Sequence, residues 1–125
     1  MNATAPEIAD VLDRAADIIE ENGLAQGTFW SMPDAPGDDW KPGKACCITG
    51  AIGVVRGYDT AVAITAWLYD HDPAMRAFAA HLGHPDNVFH VLRWNDDSLR
   101  TPAGVARSLR EAAQRIRSGE LQVAS

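Results

Sequence analysis

The chain has 125 residues, 46% hydrophobic and 22% charged, with a formal net charge of −6. That length suits one helical domain, 1–125, with a radius of gyration of roughly 14 Å, and excludes a two-domain enzyme. Charge-free stretches such as Ala45 to Val55 and Thr60 to Tyr69 fall well short of the roughly 20 apolar residues that cross a bilayer, so no membrane span is expected.

Thr4-Ala5-Pro6-Glu7 is a capping box with proline in the first turn, where its missing N–H costs nothing. Ile8, Val11, Leu12, Ala15, Ile18 and Ile19 then repeat at helical spacing until Asn22-Gly23. Residues 1–22 carry six acids and one arginine, the reverse of a secretory signal, which points to a cytoplasmic protein. From Gly27 to Gly43 come three prolines, three glycines, Trp30 and Trp40 without a sustained period. Residues 27–44 therefore read as one long loop whose indoles fold back onto the body.

Ala45 to Val55 reads as a short buried helix, with Ile48, Ala51, Ile52 and Val55 on one stripe and Gly50 and Gly53 allowing close backbone approach. Asp59 or Thr60 caps a third helix through His71, and Asp72-Pro73 opens a fourth that runs to Leu82. A fifth covers Asp86 to Asn95, and Thr101-Pro102 opens the last, which runs to Ser118 and stops at Gly119. The ordered core then spans 5–118, with 119–125 as a flexible tail. No run alternates like a half-buried strand, so the expected fold class is all-α, a compact bundle of five to six short helices.

Cys46 and Cys47 are neighbours that pair only through a strained ring, and they read as reduced thiols. With His81 and His84 they offer the nitrogen and sulfur ligands that zinc prefers. Adjacent cysteines project about 100° apart on a helix and seldom share one ion, so buried thiols beside surface histidines are the expected arrangement, without metal or cofactor. A thiol at a helix start, lowered in pKa by the dipole and served by His71, His81, His84 or His90 as base, is the nucleophilic alternative. Carboxylate pairs occur at Asp38-Asp39, Asp70 with Asp72, and Asp96-Asp97, where Asp72 is better explained as a helix cap. Phosphate-loop, nucleophile-elbow and His-Glu-x-x-His signatures are absent, and the reading leans away from an enzyme.

Arg93-Trp94-Asn95-Asp96 is the most distinctive short segment. A turn-favouring Asn-Asp after a tryptophan can anchor the next helix through the backbone, or form a binding surface beside Trp30 or Trp40. Charge is segregated: residues 98–125 hold five arginines and two glutamates, and Arg107, Arg110 and Arg117 share a stripe of the last helix. That stripe complements the acidic first helix, meets an acidic partner, or contacts nucleic acid; the overall acidic balance and the lack of interleaved aromatics argue against the last.

Cys46-x-x-x-Gly50-Ala51-Ile52, Arg93-Trp94-Asn95-Asp96 and Thr101-Pro102-x-x-Val105, leading into a Leu- and Ala-rich helix, together resemble a family of small helical proteins of unknown function from actinobacteria and their phages. The likeness covers most of the chain, and the family's Cys-x-x-Gly spacing is met by Cys47, with Cys46 extra. The resemblance implies a domain without an assigned reaction. The reading is a non-enzymatic interaction module with a protein partner or a homo-oligomer, using Trp30, Trp40, Arg93, Trp94, Asn95, Asp96, Arg107 and Arg110. A small metal- or thiol-dependent protein using Cys46, Cys47, His81 and His84, or a weak nucleic-acid binder, is the alternative.

Overall fold

Short polar side chains start most of the helices. Thr4, Cys47, Thr60, Asp72 and Thr101 each accept a backbone N–H of the first turn that has no partner within its own helix. A computed structural model describes residues 4–30 and 39–123. Among them run α1 (Ala5–Asn22), α2 (Ile48–Val55), α3 (Ala61–Leu68), α4 (Pro73–His81), α5 (Phe89–Asn95) and α6 (Pro102–Arg117). Extended backbone meets only in isolated bridges, Leu24 with Cys46, Trp30 with Cys46, and Asp39 with Thr60, so the described chain is all-α. No described helix is long and apolar enough to cross a membrane.

Three helices are shorter than their sequence pattern suggests, each because a neighbouring group takes the terminal backbone. α2 starts at Ile48 and not Ala45, since the Ala25 N–H donates to Cys46 O and the Cys47 N–H donates to Phe29 O, holding 46–47 extended. α3 ends at Leu68 and not His71. There the N–H groups of Asp70 and His71 bond back three residues, His71 takes a left-handed φ of 54°, and Asp72 is held extended before Pro73. α5 begins at Phe89 and not Asp86, because the Asn87 N–H closes a turn on His84 O while Asn87 Oδ1 accepts from the Phe89 N–H.

One buried apolar cluster draws on all six helices. α1 and α6 share the most extensive helix contact. They contribute Ile8, Leu12, Ala15 and Ile19 on one side and Val105, Leu109, Ala113 and Ile116 on the other. Along its edge Arg110 binds Asp17 at 2.9 Å and Glu20 at 2.8 Å, and Arg117 binds Asp10 at 2.7 Å and Asp13 at 2.6 Å. Seven residues forward in α6 match seven back in α1, so the two helices are antiparallel. The segregated charge of the sequence is thus largely an internal pairing. Such exposed pairs contribute less than about 1 kcal/mol each and serve mainly to set register. Beyond α6, Leu121 and Val123 pack against the core.

Candidate functional site

Asn95, the last residue of α5, is 1% exposed. A buried amide must satisfy its polar atoms, and this one does so with distant backbone. Its Oδ1 accepts the N–H of Ile48 at 2.8 Å, an orphan donor at the start of α2, while its Nδ2 donates to Ala25 O at 2.9 Å and to Asp96 Oδ1 at 3.0 Å. The same Asp96 oxygen accepts the Gly27 N–H at 2.9 Å. Gln26 reaches the other way, its Nε2 donating to the carbonyls of Asn95 at 2.9 Å and Asp97 at 2.8 Å. The network fastens residues 25–27 and the start of α2 to the end of α5.

Next to this fastening, the Phe29 carbonyl accepts the Cys47 N–H at 2.8 Å and lies hard against Gly50, where any Cβ would overlap it. Glycine at position 50 is therefore required by the close approach of the two chains. Between these segments opens a cleft of about 400 Å³ lined by Gly27, Thr28, Phe29, Cys47, Leu92 and Asp96. Phe29 and Leu92 are half-buried and Asp96 is exposed, so the cleft has apolar walls and an acidic rim.

The Cys47 Sγ accepts the Gly50 N–H at 3.2 Å and so caps α2. Burial above all, with the nearby Asp96 charge adding to it, pushes its pKa up to about 12. Cys46 is likewise pushed up to about 12, chiefly by burial and then by Cys47. The expected lowering by a helix dipole is overturned, because desolvation of a thiolate outweighs it, and both thiols are protonated at neutral pH.

A family of unknown function, DUF6197, matches residues 3–115. The chain belongs to this family. No curated protein and no solved structure matches it. The DUF6197 match includes every residue that lines the cleft and every residue of the Asn95 network.

The candidates read from the sequence are dispersed in this DUF6197 protein. Of them, Asp96 lines the cleft, Asn95 is buried behind it, and Arg93 is exposed one turn before Asp96. Trp94 is half-buried, its ring edge-on to Phe78 at 5.8 Å, with the Arg100 guanidinium 3.9 Å above it and Arg100 Nε donating to its carbonyl at 2.8 Å. Trp30 is 3% exposed and belongs to the core, its indole folded back onto the body. Trp40 is half-buried and donates from Nε1 to Lys44 O at 3.0 Å, away from the cleft lining. At the α1–α6 edge, Arg110 is committed to α1, and Arg107 lines a shallow groove with Glu20 and Glu111.

The expected anchoring of the next helix by Asn95 is also corrected: its side chain holds segments that precede it by 47 and 70 residues. The zinc-like set does not gather. His84 stacks on His90 with centroids 3.5 Å apart, His81 stacks on Phe78 at 5.7 Å, and among the described residues no three His, Cys, Asp or Glu side chains converge on one point. Of the carboxylate pairs, Asp38 lies outside the described residues, Asp72 caps α4 and binds Arg56 at 2.9 Å, and Asp97 accepts the Leu99 N–H. Gln26, Thr28, Phe29 and Leu92 carried no local signal, because their importance comes only from segments brought together by folding.

Proposed function

We propose that this DUF6197 protein is a non-enzymatic binding module that receives a partner protein in the cleft between Gly27–Phe29 and Leu92–Asp96. The observation that carries the reading is the fastening of that cleft by Asn95. Five hydrogen bonds, from Ile48, Asn95, Gly27 and Gln26, hold three separate chain segments around a shallow apolar surface. A surface held rigid before binding loses little entropy when a partner docks. Phe29 and Leu92 supply apolar contact, and Asp96 supplies the polar rim that orients a partner. Cys47, the thiol on the cleft, is protonated and occupied in capping α2, which favours recognition over chemistry. The resemblance to small actinobacterial and phage proteins supports an accessory role on a host factor in the bacterial cytoplasm.

The test places a photo-activated crosslinking residue at Thr28 and, as a control outside the cleft, at Gln114. One discrete crosslinked protein from position 28, absent from position 114 and lost on Leu92→Glu, is the expected result. Equal products from both positions, or none from position 28, overturns the reading.

A further inference from the structure

From Thr60 to Tyr69 the chain carries no charge. Within α3, Ile64, Trp67 and Leu68 are buried. Val62 is 79% exposed, Tyr69 at the C-cap is 66% exposed, and Thr65 and Ala66 are exposed between them. Positions 62, 66 and 69 follow the i, i+4, i+7 spacing of one helix face. Thr65 Oγ1 donates to Ala61 O at 2.8 Å, so its hydroxyl proton is used within the helix. The Tyr69 ring lies 5.5 Å from Phe89, which carries the surface onto α5. A single exposed hydrophobe is ordinary, whereas an apolar row along one helix marks an interaction surface.

Charge and size decide the occupant. Asp59 and Asp70, both exposed, stand at the two ends of α3, and the nearby Arg56 is bonded to Asp72 at 2.9 Å. A second copy fits poorly. Eight helical residues span about 12 Å, enough to seat one short helical segment in a weak contact but not the roughly 800 Å² per partner of a stable dimer. Either orientation of two α3 helices also sets aspartate against aspartate, between chains that each carry a net charge of −6. We propose that the outer face of α3 docks a helical segment of another protein whose apolar stripe is bordered at both ends by lysine or arginine. The surface is distinct from the cleft and stands whether or not the cleft has a partner.

The experiment titrates the full-length, isotope-labelled protein with a synthetic helical peptide of about 14 residues, with a leucine stripe and lysines at both ends. A twin peptide with glutamates in place of the lysines serves as control. The lysine peptide is expected to cause saturable amide shifts confined to residues 59–71 and Phe89. Affinity should fall roughly tenfold or more for the glutamate twin, for the Val62→Ser, Tyr69→Ser double variant, and for Asp59→Asn with Asp70→Asn, which leaves the apolar row intact. Shifts scattered over the acidic face of α1, absence of saturable binding, or indifference to the substitutions overturns the proposal. So do α3 shifts that change on dilution without peptide, which would give the face to a second copy.

Discussion

Asn95 shows how one side chain can carry more of a fold than its neighbours. Replacing it with alanine leaves the Ile48 N–H and the Ala25 carbonyl buried without partners. An unsatisfied buried group costs about 1 to 3 kcal/mol, so Asn95→Ala is expected to lower stability by about 3 kcal/mol. Urea unfolding reads this as a lower midpoint with an unchanged slope. Arg93→Ala, two residues away and exposed, should stay within about 0.5 kcal/mol. Equal midpoints for the two variants would remove the network from the account. The sequence marked Arg93 to Asp96 as distinctive because a turn-favouring Asn-Asp follows a tryptophan at a helix end. It could not show which backbone groups the amide would meet, since those are set by packing and not by neighbours along the chain.

At the scale of elements, the joint between α4 and α6 is sensitive to acid. His81 closes α4, and its Nδ1 lies 2.9 Å from Arg115 NH1. A guanidinium only donates, so the ring accepts at that nitrogen and is neutral. Burial first, and then the Arg115 charge, hold the His81 pKa below its usual 6.5, against an opposite pull from Glu111 and Glu120. A group whose pKa is lower in the folded state adds stability above its unfolded pKa and loses it as pH falls through the folded one. The melting temperature should therefore fall between pH 7 and pH 5.5, less steeply in His81→Gln. His90, lowered by desolvation and then by His84 and Arg93, moves the same way and accounts for part of the remaining slope. Identical slopes in the two proteins would show that His81 does not couple to folding. The element starts themselves were legible, since Thr4, Thr60, Asp72 and Thr101 act on backbone within three residues. α2, α3 and α5 came out shorter where a turn or a distant strand-like segment competed for the same backbone.

For the molecule as a whole, the two thiols report global opening. Both are buried with pKa values near 12, and alkylation requires the thiolate. Iodoacetamide at pH 8 is expected to modify Cys46 and Cys47 together, at the rate of unfolding and faster in urea; rapid capture of one thiol in the native protein would contradict that placement. The sequence by itself determined the helical class, the order of the helices and their apolar stripes. Those features follow from caps and periods that act over a few residues. Only the tertiary structure decided that Trp30 is core, that Cys47 caps a helix, that α3 keeps an apolar outer face, and that residues 27–29, 47, 92 and 96 enclose a cleft. Burial and hydrogen-bond pairing depend on which distant segments meet. Loop and short-helix residues such as Gln26, Phe29 and Leu92 acquire their roles only when packing brings the chain back on itself.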